Sequence, residues 1–188
     1  VSLFCWKLFK HGLNFKEVYL FCFLGYATHG LLDACTTYGT LLLWPFSDTR
    51  FAWNNISIID PLLTLPMLTF VILSITRKTN FFSRVAVIWV VLYLTVGLIQ
   101  RERAIEAGYE IASSRAHQPT RLEAKPSFGN ILLWKIVYEQ ENFFYVDAVR
   151  VGITPRVYEG TKTEKLDLDK HFPWLEIGSQ QRRDIKRF

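Results

Sequence analysis

Charge is scarce in the first hundred residues of this chain. Residues 1–100 hold seven Lys or Arg and four Asp or Glu, whereas residues 101–188 hold fifteen and thirteen. That split argues against one uniformly water-soluble domain. It reads as a membrane half followed by a soluble half. Cysteine is sparse as well. Cys5, Cys22 and Cys35 lie in or near apolar segments and form no Cys-x-x-Cys, which suggests neither a disulfide framework nor a zinc knuckle. There is no basic stripe with interleaved aromatics, so the net charge of +5 gives no reason to expect nucleic acid as a partner. A basic excess beside apolar segments is more simply a topology or headgroup signal. Internal repeats and low-complexity tracts are absent. No small-residue cleavage site follows the apolar stretch in residues 1–9, so a signal peptide is not expected. With Val1 in place of Met, the sequence reads as beginning inside a longer protein.

What is abundant is hydrophobic and aromatic surface. Half of the residues are hydrophobic, and six Trp, eight Tyr and fifteen Phe are many aromatics for 188 residues. The first apolar run begins at Val18 and continues to Trp44, broken only by His29, Asp33 and small hydroxyls. A span over about 18–38 is expected, because ~20 apolar residues cross a bilayer. Segments 61–76 and 85–100 are apolar and flanked by charge (Asp60 and Arg77; Arg84 and Arg101). Both are short for spanning, and Pro66 inside the first is tolerated better in a membrane than in water. The expected fold class is therefore a membrane α-helical bundle of about three spans, residues 1–100, followed by a small extramembrane α+β domain, residues 101–188. In the latter, 98–116 has helical periodicity. Residues 131–139 and 143–153 form a hairpin pattern around Gln140-Glu141-Asn142. Residues 155–188 suggest loops, a short strand and a basic end.

Basic residues place the loops. Lys7, Lys10 and Lys16 precede the first span, and Arg77, Lys78 and Arg84 join the second and third. The excess of positive charge puts residues 1–16 and 77–84 in the cytoplasm and 39–60 and 101–188 on the opposite side. Trp44, Phe46, Phe51 and Trp53 in the 39–60 loop suit the membrane interface.

Chemistry concentrates on the first span and the loop after it. His29 and Asp33 are four apart and share one helix face. Ionisable groups inside a span are costly and mark a partner or a watery cavity. Neutral imidazole and carboxylate both ligate zinc or a similar divalent ion. Asp33 could equally orient His29 as a general base, or the two could lock helix packing by a hydrogen bond. Asp60-Pro61 is a standard helix start, with Asp as N-cap and Pro at the first helical position. It lies on the same side of the membrane as the end of the first span, so Asp60 is also a candidate catalytic or metal-binding group. Ser47 and Arg50 form a polar cluster with Asp48. Ser47 lacks the context of a nucleophile, and Arg50 suits solvent or a lipid phosphate. In the soluble half, Asp147 and Arg150 point to opposite strand faces, and His117 and His171 are isolated.

These residues carry a resemblance. His29-Gly30-Leu31-Leu32-Asp33, Thr37-Tyr38-Gly39-Thr40, Pro45-Phe46-Ser47, Arg50 and Ile58-Ile59-Asp60-Pro61 resemble the bacterial YdjM-like, LexA-regulated, membrane-bound metal-dependent hydrolases over about residues 25–65. The resemblance implies a multi-pass protein of the bacterial inner membrane. It implies a divalent metal held by His29 and Asp33, with Asp60 as ligand or base, and a lipid-like or phosphate-ester substrate at the headgroup plane. The family's upstream HRxxTHS motif and an earlier acidic motif are missing from this sequence. Two rivals remain: a non-catalytic membrane protein in which His29 and Asp33 lock helices and the tail binds a partner, and a proton or ion relay built on the same pair.

Overall fold

A computed structural model describes residues 14–187 together with Leu3 and Gly12. The first described helix, α1 (Phe15–Ala34), starts at a reciprocal cap. The Glu17 N–H donates to the Asn14 side chain, and the Asn14 N–H donates to the Glu17 carboxylate. Next comes an irregular loop to Asp60, with one short bridge between Thr40 and Phe51. Helix α2 (Pro61–Arg77) opens on the Asp60 cap with Pro61 at its first position, and retains Pro66. It ends at Lys78, in the left-handed region at φ 49°. Thr79 then caps α3 (Asn80–Ser114), which has 35 residues. Helices α2 and α3 pack together as a hairpin, tied near the turn by Ser74 and Ser83, whose hydroxyls lie 2.6 Å apart.

Among the described residues one helix, α3, is long and apolar enough to cross a membrane. Helix α2 is apolar but shorter. In α1 the apolar character is diluted by Lys16, Glu17, His29 and Asp33. The first two of the three expected spans therefore fall short of the length or the apolarity that α3 has. Much of the apolar surface of α3 faces outward, including Val87, Ile88, Val91, Leu92 and Ile99. A row of exposed apolar side chains like this marks a surface that a membrane or another protein covers.

The expected helix at 98–116 is not a separate element. It continues α3 without a break, so one helix of about 52 Å joins the apolar region to the soluble half. The compositional border at residue 100 lies inside it. Four strands follow: β1 (Arg121–Pro126), β2 (Leu133–Gln140), β3 (Phe143–Val151) and β4 (Pro155–Glu164). They form an antiparallel meander in chain order. The expected hairpin is β2–β3, and the sheet extends it on both sides. Two short helices, α4 (Leu168–His171) and α5 (Gln180–Arg187), end the described chain.

The C-terminal part of α3 covers one sheet face. Ala104, Ala107, Ala112 and Ile111 meet Trp134, Ile136, Tyr138, Val149 and Val151 in a buried core. Small residues let the helix come close. A Cβ on Gly108 would lie 2.9 Å from the Ile136 side chain. The same core runs on through Tyr93, Leu63, Ile56 and Cys35 to the end of α1. The loop before α2 thus joins the two halves of the molecule.

Candidate functional site

His29 and Asp33 stand one turn apart on the last turns of α1. The His29 Nδ1 lies 3.3 Å from the Asp33 carboxylate, with side chains 75% and 50% exposed. Both therefore face outward from α1. Neither side chain hydrogen-bonds to another helix among the described residues. Just past them, Thr36 donates its hydroxyl to the Asp33 carbonyl at 2.7 Å and closes the helix end. Gly30 lies one residue from His29 and approaches Leu42 of the following loop, where a Cβ would be 3.7 Å from its methyl.

The loop is held in place by its backbone. Trp53 N–H donates to the Ala34 carbonyl at 2.7 Å, and Asn55 and Ile56 donate to that of Cys35. Arg50 donates to the Tyr38 carbonyl at 3.3 Å. Its side chain covers Gly39, whose φ of +72° and lack of space exclude a larger residue. Ser47 accepts the Thr49 N–H and donates to the Thr49 hydroxyl, a local turn. Neither Ser47 nor Arg50 hydrogen-bonds to His29 or Asp33.

Asp60 is buried, and both of its oxygens have protein partners. Oδ1 accepts the Leu62 and Leu63 N–H groups, and Oδ2 accepts the Tyr93 hydroxyl at 2.6 Å. It caps α2 and ties it to α3. Among the described residues no group of three or more His, Cys, Asp and Glu side chains is placed to hold a metal ion. His29 and Asp33 supply two donors of suitable chemistry, which is fewer than the three protein ligands a catalytic zinc requires.

Sequence patterns miss two further groups. Asn54 and Asn55 are buried, and among the described residues their side-chain carbonyls have no hydrogen-bond partner. They sit on the segment that presses against α3, where a Cβ on Gly97 would come within 2.7 Å of the Asn55 carbonyl oxygen. Two adjacent amides between Trp53 and Ile56 are the only signal for them in the sequence. The second group is in the sheet domain. Arg115, just after α3, donates to both oxygens of buried Asp147, at 2.7 and 3.0 Å, and to the Tyr138 hydroxyl. His117 is not isolated. Its Nδ1 lies 3.0 Å from the Tyr138 hydroxyl, and its ring packs on Tyr145. Burial pushes the Asp147 carboxyl up, but the Arg115 guanidinium and the Gly160 N–H outweigh it and hold the carboxyl below its ordinary range. Its partner Arg115 is held above its ordinary range by the same bond.

A family model for YdjM inner membrane proteins matches residues 1–104. The chain belongs to the YdjM inner membrane protein family. The YdjM match takes in α1, the loop, α2 and α3 up to Ala104. His29, Asp33, Ser47, Arg50 and Asp60 all lie within it, and the sheet domain lies beyond it. No curated protein and no solved structure matches the chain.

Proposed function

We propose that this YdjM-family protein is multi-pass, with α1 and α2 crossing the inner membrane beside α3, and that the His29–Asp33 face serves metal-dependent hydrolysis at its outer surface. The observation that carries the reading is the exposed His29–Asp33 contact of 3.3 Å on an otherwise largely apolar helix. An ionisable pair facing outward from a membrane helix needs a ligand or a partner to offset its desolvation. The Nδ1 edge of the imidazole lies against the Asp33 carboxylate, which leaves Nε2 on the far side of the ring. That nitrogen is then available as a ligand or a base. Residues 39–60 and 101–187 share the outer side, and residues 77–84 face the cytoplasm. A lipid-like or phosphate-ester substrate at the headgroup plane fits this position.

The described residues do not form a complete metal centre. The hydrolytic reading therefore requires at least one more ligand from outside them, and Asp60, held by Tyr93, would have to leave that bond to contribute. The test is the metal content of the full-length protein purified in detergent. Near-stoichiometric zinc or a similar divalent ion is expected, with loss in His29→Ala and in Asp33→Ala. Metal content that neither substitution changes would sink the proposal.

A second reading, a non-catalytic membrane protein whose sheet domain binds a partner, has one observation in its favour. Strand β4 is a sheet edge of ten residues, all exposed. Such an edge is a ready template for strand addition. Under this reading the His29 and Asp33 substitutions lower the melting temperature with no dependence on metal.

A further inference from the structure

The sheet face turned away from α3 carries its charges unevenly. Directly paired residues share a face, so its rows can be read from the register. At the end nearest the apolar helices, Leu133, Arg150 and Arg156 form one row, and Lys125 (paired with Glu123), Lys135, Ala148 and Tyr158 the next. At the far end Arg121, Glu139 and Phe144 make up another row. The charges there are neutralised: Arg121 pairs with Glu123, and Lys165 with Glu139. Arg150, Arg156 and Lys135 have no acidic partner among the described residues. Like charges placed directly opposite one another are destabilising, and Arg150 faces Arg156 across the β3–β4 pair. An anion between them would remove that cost, and a guanidinium binds a phosphate with matched geometry.

The height of this row is fixed by α3. Gln100 donates to the Val151 carbonyl at 2.9 Å, and Arg103 donates to the carbonyls of Gly152 and Ile153. Residues 85–100 of α3 carry no charge and Arg101 to Arg103 follow directly, so the β3–β4 turn sits where the apolar stretch ends. Ile153 at that turn is fully exposed. On the other side of the same sheet end, the turn before β2 rests on the start of α2. The Gly129 N–H donates to the Ser57 hydroxyl at 3.0 Å, and Phe128 and Leu132 point outward. Beside Arg150 lies an apolar groove of about 420 Å³ walled by Leu132, Leu133, Ala148 and Tyr158. Cationic heads beside outward apolar side chains, at the level where a membrane helix emerges, suit an acyl chain below a phosphate.

We infer that Arg150 and Arg156, with the groove beside them, form a binding site for the phosphodiester headgroup of an anionic phospholipid in the leaflet on the sheet's side. The site is separate from His29 and Asp33, and its ligand holds the sheet face against the membrane. It needs α3 to cross the bilayer but does not need the chain to be a hydrolase.

The full chain is placed in phosphatidylcholine nanodiscs with and without phosphatidylglycerol, and the lipids it retains are counted by native mass spectrometry. The wild type is expected to keep phosphatidylglycerol in preference to phosphatidylcholine. Retention should fall on the order of tenfold or more in R150Q/R156Q, since each surface cation contributes measurably to anionic-lipid binding. R121Q, on the far row, should keep it, and so should His29→Ala. Both arginines are exposed and outside the core, so R150Q/R156Q in phosphatidylcholine should melt no lower than the wild type, and slightly higher once the two facing charges are gone. Equal retention by the double variant, or no preference in the wild type, would overturn the site. Thermal stabilisation by inorganic phosphate with no retained phosphatidylglycerol would overturn the lipid assignment and make the pair a site for a soluble anion.

Discussion

Asp147 shows how one residue holds the sheet domain to its helix. Its side chain is 2% exposed, and that of Arg115 is 27% exposed. Asp147→Asn leaves the partly exposed Arg115 guanidinium without its counter-charge and weakens two charge-assisted hydrogen bonds, so it should cost about 1–3 kcal/mol. Thermal or denaturant unfolding in detergent would measure it. The pH dependence has a definite sign. The folded carboxyl lies below its ordinary value, so its contribution is present above the unfolded pKa of ~3.9 and is lost as pH falls through the lower folded value. The wild type should lose stability on acidification below about pH 4 more steeply than Asp147→Asn. An equal slope would remove Asp147 from the account. The pairing itself is hidden in the sequence. Arg115 and Asp147 are 32 positions apart and meet only once the sheet has docked on α3. The Tyr93 bond to Asp60 is hidden for the same reason, whereas the Asp60 cap is readable from Asp-Pro alone. His29 and Asp33 are legible because helical periodicity is local. Their missing third ligand is not, since ligands converge through tertiary structure.

At the level of elements, close approach decides more than hydropathy. The segment 53–57 lies against α3 at Gly97, with the Asn55 carbonyl where a side chain would be. Gly97→Ala should therefore push the segment away and cost about 1–3 kcal/mol. The loss should appear as a lower melting temperature in detergent, with α3 itself still helical by circular dichroism. An unchanged melting temperature would mean that the segment yields freely. Gly160 is a comparable case in the sheet. A Cβ there would meet the Val146 carbonyl oxygen at 1.8 Å, beside the register shift between Val146 and Ala148. This bulge brings the Gly160 N–H onto Asp147. The β2–β3 hairpin is legible in the sequence because its strands are rich in Ile, Val, Tyr and Phe. Strand β4 is less so. Its sequence is polar (Pro155 to Glu164), and it is paired on one side only. Nothing local marks where the apolar part of α3 ends and the soluble part begins, because Arg101, Glu102 and Arg103 are all compatible with a continuing helix.

For the whole molecule, the proposed arrangement gives opposite fates to its two ends. Cysteine introduced at Lys78, in a background lacking Cys5, Cys22 and Cys35, should be labelled from the cytoplasmic side of sealed vesicles. One introduced at Glu141, in the β2–β3 turn, should be labelled from the other side. Labelling of both from one side would exclude α3 as a span in this orientation. The unbroken run of α3 from its apolar part to the sheet also has a mechanical meaning. A domain on a loose linker samples many headings, but one carried on a helix has both its height and its heading set by the helix. One alanine inserted after Gln100 would lift the sheet by about 1.5 Å and swing it by about 100°. The Ser57–Gly129 contact could not then be kept, and Arg150 and Arg156 would turn from their present bearing. A protein with that insertion would keep every residue of both halves and lose only their alignment.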